Sequence, residues 1–399
     1  MRKPELLAPA GDIFRGKLSL DYGADAIYFG GTQFSLRARA SNFTNDKIKE
    51  MCEYAHSHNK KCYLVTNILC HNIHLSNLRT YLKEIMAYKP DAFITSDPAV
   101  ITAILEINPN AEIHISTQQS TTNSKASLFW KRNGCKRLIL ARELSYDEIK
   151  LMQKNLNGAI DIEYFIHGAV CIGYSGRCVL SNNFCLRDAN IGGCAQSCRW
   201  KYTLYNDKEK YSDSFSMSAK DMNQMPNLEK IIAAGVASFK IEGRMKTEHY
   251  CATVTKTYRE AIDEYCSTGK LTNKDKYLAE LDKVANREVD VAWFFGTPTF
   301  KAMLDTTEVK KVTQLYAAFV DKKIDDTTYE VTSKNFFKAN QNFELIGPKH
   351  SLYDVKIKQI VDPQGIKYNV VNQPAKKFII TFDKPLKDVG YEDILRIKQ

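Results

Sequence analysis

The sequence predicts a parallel β/α barrel followed by a small all-β domain, and three observations carry that reading. Eight short β-rich runs recur through the first 250 residues, most of them separated by amphipathic stretches suited to helices, which is the alternation of parallel β/α construction. Polar residues stand at many strand ends (Asn67, Asp97, Gln118, Glu143, His167 and Glu242). In a barrel those ends converge on one mouth, where active sites form. From about residue 310 the pattern changes to short β runs and turns. An open dinucleotide-binding sheet would want a glycine fingerprint after its first strand, and Pro9-Ala10-Gly11-Asp12 supplies none.

Taken in order, the predicted barrel strands are 5–9, 24–30, 61–67, 92–97, 112–118, 137–142, 160–167 and 238–242. Thr44-Asn45-Asp46 reads as the cap of a helix running towards His58, and Ser145 stands at capping-box spacing from Glu148. A long insertion, roughly 169–225, follows the seventh strand. A helix near 246–267 leads into a polar connector over 267–276. Residues 1–300 are therefore expected to form a TIM-like barrel with its insertion. Residues 301–399 are expected to form a small β-barrel-like accessory domain, with strands near 315–320, 328–331, 343–346, 355–361 and 378–382. Those residues carry 17 Lys/Arg against 13 Asp/Glu, an excess that permits an RNA-binding lobe without requiring one.

With 399 residues, 44% hydrophobic and 26% charged, the chain has the balance of an ordinary globular protein. That excludes a long disordered chain, a collagen-like fibre and a disulfide-stapled miniprotein. No apolar run approaches the roughly 18–20 residues of a membrane span. The start of the chain, Met1 to Pro9, is basic but too short in apolar length for a signal peptide, so the expectation is a cytoplasmic protein with no membrane partner. The formal charge of +10, from 56 Lys/Arg against 46 Asp/Glu, suits a phosphate-rich partner because cationic surfaces displace condensed counterions from nucleic acid. Solubility alone accounts for it equally well.

Of eleven cysteines, five crowd between Cys171 and Cys198, a clustering that in a reducing cytosol points to a metal or redox site. Cys171, Cys178, Cys194 and Cys198 follow C-x6-C-x15-C-x3-C. Structural zinc sites usually present a tight pair with two intervening residues, and none occurs among these four. A wider cage suits an iron–sulfur cluster held by four thiolates, with zinc and reduced structural cysteines as the alternatives. Cys185 falls outside the spacing and reads as a bystander, a ligand swap being the alternative.

The stretch from Glu163 through Ile166-His167-Gly168-Ala169-Val170-Cys171, continuing over Gly176-Arg177-Cys178-Val179-Leu180-Ser181, closely resembles the signature of the bacterial collagenase-like peptidase family. Leu6-Leu7-Ala8-Pro9-Ala10-Gly11-Asp12, Ser218-Ala219-Lys220-Asp221-Met222 and the run from Ser238 to Lys246 resemble three further blocks, in family order across residues 5–246. The C-terminal β segment fits the accessory domain of longer members. Despite the peptidase name, the resemblance implies oxygen-independent hydroxylation of RNA bases or, in another branch, of a quinone precursor, with a 4Fe–4S cluster. The chain looks most like the tRNA hydroxylation branch. That implies tRNA as partner, 5-hydroxyuridine at the wobble position as product and prephenate as cosubstrate. It also implies Cys171, Cys178, Cys194 and Cys198 as cluster ligands. A ribosomal RNA branch shares the same blocks, and some relatives work in pairs, so a homologous partner subunit or an electron donor is a further expectation.

Lys240, Glu242 and Arg244 alternate along the last barrel strand and are expected on one face, where charge is costly unless paired or functional. They are read as catalytic candidates together with His167, a proton shuttle. Arginine's fork suits the two carboxylates of prephenate, and a structural ion-pair ladder is the bland alternative. Asn67, Asp97, Gln118, Arg177 and Arg199 are read as substrate-binding: the first three to meet a base edge, the arginines to meet phosphate or offset cluster charge. Capping and simple solvation are the competing roles. Tyr174, Phe184, Trp200 and Tyr202 are candidates to stack a flipped base or to shield the cluster. A collagenase-like peptidase and a non-catalytic iron–sulfur RNA-binding subunit are the alternative functions. Neither a His-Glu-x-x-His motif nor a Gly-x-Ser-x-Gly elbow is present.

Overall fold

The computed structural model describes residues 2–36, 42–210, 214–304 and 313–398. Its first part is a closed barrel of parallel strands: β1 (Glu5–Pro9), β2 (Ala26–Gly30), β3 (Lys61–Thr66), β4 (Ala92–Thr95), β5 (Ile113–Ile115), β6 (Arg137–Ile139), β7 (Asp161–Gly168) and β8 (Ser238–Ile241). Neighbours pair in that order, and β8 closes the ring on both β7 and β1. Helices α1 (Ile13–Asp21), α2 (Asn45–Ser57), α3 (Asn72–Met86), α4 (Pro98–Ile107), α5 (Ser124–Arg132) and α6 (Tyr146–Leu156) alternate with the strands. The predicted capping box is made, with Ser145 accepting from the Glu148 amide and Glu148 accepting from that of Ser145. Residues 24–25 and 116–118 fall outside the strands, the latter because the chain turns into a 3-10 turn at Thr117–Gln119.

Two layers of side chains arise from strand alternation. Leu6, Ile27, Phe29, Leu64 and Ile166 face the helices; Leu7, Tyr28, Tyr63, Ile94 and Phe165 fill the barrel. Four successive strands around the closure also place one charged side chain each inside. Glu5 pairs with Arg137 at 2.6 Å, Arg137 with Glu163 at 3.4 Å and Lys240 with Glu163 at 2.8 Å. Burial works against the ionised Glu5, yet Arg137 and donors from Tyr63 and Ser238 bring its pKa below the ordinary value.

After β7 the chain leaves the barrel and returns as a short strand, Asp221–Asn223, antiparallel to the end of β7. Helices α7 (Leu228–Ala233), α8 (Glu248–Thr268) and α9 (Lys274–Asp282) come next. The last of these begins at the end of the stretch expected as a polar connector and runs beyond it, burying only Tyr277 and Leu281. The C-terminal part is a second closed barrel, antiparallel and six-stranded. Its strands are β9 (Gln314–Lys323), β10 (Thr328–Ser333), β11 (Asn342–Ile346), β12 (Tyr353–Val361), β13 (Lys377–Phe382) and β14 (Ile394–Lys398), in the ring order β11-β14-β9-β10-β13-β12. Among the described residues no helix is long and apolar enough to cross a membrane.

The two barrels share a polar interface. Tyr22 donates to the carbonyls of Ile346 and Glu392, and the fully buried Arg396 pairs with Glu280 and Glu344. Burial and the adjoining Asp21 carboxyl push Glu392 up to about 9. The folded chain therefore keeps a proton there that the unfolded chain releases above its ordinary value near 4.5, so stability falls as pH climbs between those two values. Glu392→Gln, uncharged throughout, is expected to stabilise by roughly 1 kcal/mol or more at pH 8 and by little at pH 5. Urea denaturation at both pH values checks this, and an equal effect at both would contradict it.

Candidate functional site: a thiol-ringed barrel mouth

The excursion between β7 and Asp221 folds back over the C-terminal ends of the strands because its turns demand it. Gly168 has φ 105°, and a Cβ there would stand 2.5 Å from the Glu242 carbonyl. A Cβ on Gly173 would lie 2.6 Å from the Arg177 carbonyl. Side chains then pin the loop. Ser175 donates its amide to Glu143 at 2.5 Å, Arg177 donates to the Gln118 carbonyl at 2.6 Å, and Asn190 donates to the Cys178 carbonyl at 3.3 Å.

These contacts bring Cys171, Cys178, Cys194 and Cys198 to the wall of one cavity at the mouth, all as free thiols. Burial raises the Cys171 and Cys198 thiols; neighbouring cysteines raise them further, against Arg142 beside Cys171 and Arg199 beside Cys198. Among the described residues, the group of three or more His, Cys, Asp or Glu ligand atoms lying within 4.8 Å of one another is elsewhere, at His56, Cys62 and Asp91. The mouth thiols form no such group among the described residues. Cys185 lies off the cavity, 3.7 Å from the Ser197 hydroxyl.

The thiols divide the mouth into two chambers. The inner one, about 120 Å³, reaches into the barrel past Tyr28, Phe165, Lys240 and Glu242. The outer one, about 480 Å³, is lined by Arg142, Arg199, Lys246 and Arg287 against Glu242, and shares Cys171, Cys194 and Cys198 with the first. Lys246 and Arg287 each lean on Asp221, at 3.4 and 3.5 Å. This cationic lining suits an anion.

Lys240, Glu242 and Arg244 all line the inner chamber, with separate contacts. Lys240 is held by Glu163 and lies 4.3 Å from the Tyr28 ring centre; burial lowers its pKa. Glu242 accepts from the Tyr28 hydroxyl at 3.2 Å and stands 3.9 Å from Arg142. Arg244 donates to Ser35, the Leu36 carbonyl and Asn42, fastening the loop after β2. Asn67 and Gln118 also line the chamber, joined to each other at 3.2 Å. Arg199 reaches the outer chamber and bonds Gln196.

Three expectations are corrected. His167 does not face the mouth. Ile166 is an extra residue in β7 opposite the Lys240–Ile241 step, and such a bulge reverses the facing of the residues beyond it. The His167 ring therefore packs on Tyr250 and Tyr258 of α8, with Nδ1 3.3 Å from the Tyr258 hydroxyl. Burial lowers its pKa to about 4, which keeps it neutral at physiological pH. Asp97 is an N-cap: it accepts from the Ala99 amide at 2.8 Å and the Cys70 amide at 2.7 Å. Arg177 is a staple on the β5 loop, donating also to Gln119, and does not line either chamber. The residue overlooked is Arg142, which lies over the Phe165 ring at 4.1 Å and borders both chambers. Its place just past a barrel strand was the available signal.

A β/α barrel with four free thiols across its mouth, docked to a closed β barrel, defines a two-barrel protein with a thiol-lined catalytic-type cleft. The chain belongs to Peptidase family U32: residues 11–304 match that family's model and residues 313–396 match the Peptidase family U32 C-terminal domain. It is 41% identical over 396 residues to tRNA hydroxylation protein P1 of Bacillus subtilis (strain 168), covering 96% of this chain and 93% of that one. A 23S rRNA 5-hydroxycytidine synthase of Escherichia coli (strain K12) is 37% identical over 262 residues, covering 65% of this chain and 39% of the relative. A collagenase of Porphyromonas gingivalis (strain ATCC BAA-308 / W83) is 34% identical over 278 residues, covering 66% of each.

Proposed function

We propose that this chain is an iron–sulfur-dependent, oxygen-independent tRNA hydroxylase that forms 5-hydroxyuridine at the wobble position, with prephenate as cosubstrate. The observation that carries the proposal is the convergence of four free thiols on the inner chamber, three of them on the wall it shares with a cationic outer one. The tRNA and rRNA hydroxylation named for its relatives supports the substrate class.

In this reading Cys171, Cys178, Cys194 and Cys198 would hold a 4Fe–4S cluster, which supplies redox and Lewis-acid chemistry when bound. Arg142 and Arg199 bind the carboxylates of the cosubstrate, since guanidinium forks match them two hydrogen bonds at a time. Asn67 and Gln118 present amide edges to a uracil ring in the inner chamber. Glu242 Oε2, between the Tyr28 hydroxyl and Arg142, holds or gives up a proton there. Phe184 and Trp200, about half exposed with ring centres 6.4 Å apart, offer flanking bases a stacking surface. The peptidase alternative finds, among the described residues, no histidine lining either chamber to serve as general base for a nucleophile.

Deleting the gene is expected to remove 5-hydroxyuridine-derived nucleosides from cellular tRNA. Wild-type chain should restore them and Cys178→Ala should not, as read by nucleoside mass spectrometry. Unchanged tRNA nucleosides in the deletion strain would overturn the assignment.

A further inference from the structure

At the opposite end of the barrel from the mouth, a histidine, a cysteine and a carboxylate meet from three elements, with a second cysteine beside them. Cys52 and His56 are one helical turn apart on α2 and so share a face. Cys62 is the second residue of β3, and Asp91 immediately precedes β4. His56 Nε2 lies 3.0 Å from Asp91 Oδ2, Cys62 Sγ 3.5 Å from the same oxygen and 4.0 Å from His56 Nε2, and Cys52 Sγ 3.3 Å from Cys62 Sγ. We propose that Cys52, His56, Cys62 and Asp91 form a second metal centre, a tetrahedral site for zinc or a zinc-like divalent ion, independent of the mouth.

The distances match the chemistry. Zinc bonds of about 2.3 Å to sulfur and 2.0–2.2 Å to nitrogen or oxygen imply ligand–ligand edges of roughly 3.3–3.8 Å. The three separations among His56, Cys62 and Asp91 straddle that range, and their ligand atoms all lie within 4.8 Å of one another; Cys52 stands outside that group and adjoins it through Cys62, at 3.3 Å. An ion pair between His56 and Asp91 would explain two of the four groups. It leaves unexplained why the buried Cys62 thiol turns to the same carboxylate oxygen, with a second buried thiol behind it. Both thiols are fully buried while His56 is exposed, so the cluster spans from the core side to the solvent side of this corner. Asp91 already joins this corner together, accepting from the Cys62 amide at 2.8 Å. An ion would extend that tie to α2 and clamp the helix to β3 and the start of β4, at the barrel end associated with stability and away from the chemistry.

The test uses the full chain, purified anaerobically and titrated with zinc alone, with binding followed by X-ray absorption at the zinc edge, which is blind to iron. One zinc per chain with mixed sulfur and nitrogen/oxygen ligands is expected, together with a rise in the melting temperature. His56→Ala, on the exposed side where folding is not at risk, should weaken zinc by at least the roughly 10–100-fold that loss of even a supporting contact brings. Cys62→Ser should act in the same way. A chain with all four mouth cysteines changed to serine should retain the zinc. Zinc affinity unchanged in His56→Ala, zinc lost with the mouth cysteines, or a Cys52–Cys62 disulfide in the anaerobic protein would each overturn the proposal.

Discussion

Glu163→Ala is expected to destabilise the chain by about 3–5 kcal/mol, the typical consequence of removing one member of a buried ion pair. Glu163 is fully buried and accepts from Lys240 at 2.8 Å and Arg137 at 3.4 Å. Arg137 retains Glu5 when the carboxylate is lost, so Lys240 bears most of the effect: its ammonium would be left buried with aromatic faces for neighbours. The consequence should concentrate at the closure of the barrel, because Glu5, Arg137, Glu163 and Lys240 sit on β1, β6, β7 and β8, the strands flanking the join. Glu163→Gln combined with Lys240→Met removes both charges and should recover a large part of the loss, whereas each single change should not. Urea denaturation of the four chains as a double-mutant cycle reads this as a coupling energy. A Glu163→Ala effect below 1 kcal/mol, the scale of an exposed pair such as Lys150–Asp147, would mean that water reaches this network.

The same strands show what was legible in the sequence. Parity along β8 correctly put Lys240 in the barrel interior. The same two-residue step puts Glu163 of β7 there too but does not carry to His167, because one additional residue in β7 reverses the facing, and a bulge leaves no local composition signal in Ile166. Asp97 was ambiguous for a different reason. A helix N-terminus wants an acceptor at the strand end just as a binding site does, and Asp97-Pro98, a cap followed by proline in the first turn, favours the helix. The cysteine spacing brought four thiols to one cavity, since short loops between them limit how far they can separate. The two chambers were not legible, being made by residues such as Tyr28, Arg142 and Arg287 that only barrel closure and the returning helices bring together. The last strand of the second barrel, β14, was missed as well. Its partners β9 and β11 are 48 residues or more away, from Ile346 to Ile394 at the nearest, and pairing at that distance cannot be read from a local run.

Arg142→Gln is expected to lower kcat/KM for the anionic cosubstrate by roughly 10–150-fold, mainly through KM. That is the equivalent of the 1.5–3 kcal/mol associated with a hydrogen bond to a charged group. The guanidinium is fixed before any ligand arrives: the Phe165 ring lies 4.1 Å beneath it and Glu242 stands 3.9 Å to one side. Little side-chain freedom is left to lose on binding, which is the condition for an arginine fork to express its full strength. Arg142→Lys should fall between the two, keeping the charge while losing the paired geometry and the stacked plane. The discriminating control is iron and sulfide content. Arg142 offsets negative charge near Cys171, so a merely structural role would lower cluster occupancy along with turnover. A recognition role would leave occupancy at the wild-type level while the cosubstrate titration shifts to higher concentration. Anaerobic hydroxylation assays on tRNA across a cosubstrate series separate the two. An unchanged KM at full occupancy would place the carboxylates elsewhere, with Arg199, Lys246 and Arg287 as the remaining cations of the outer chamber.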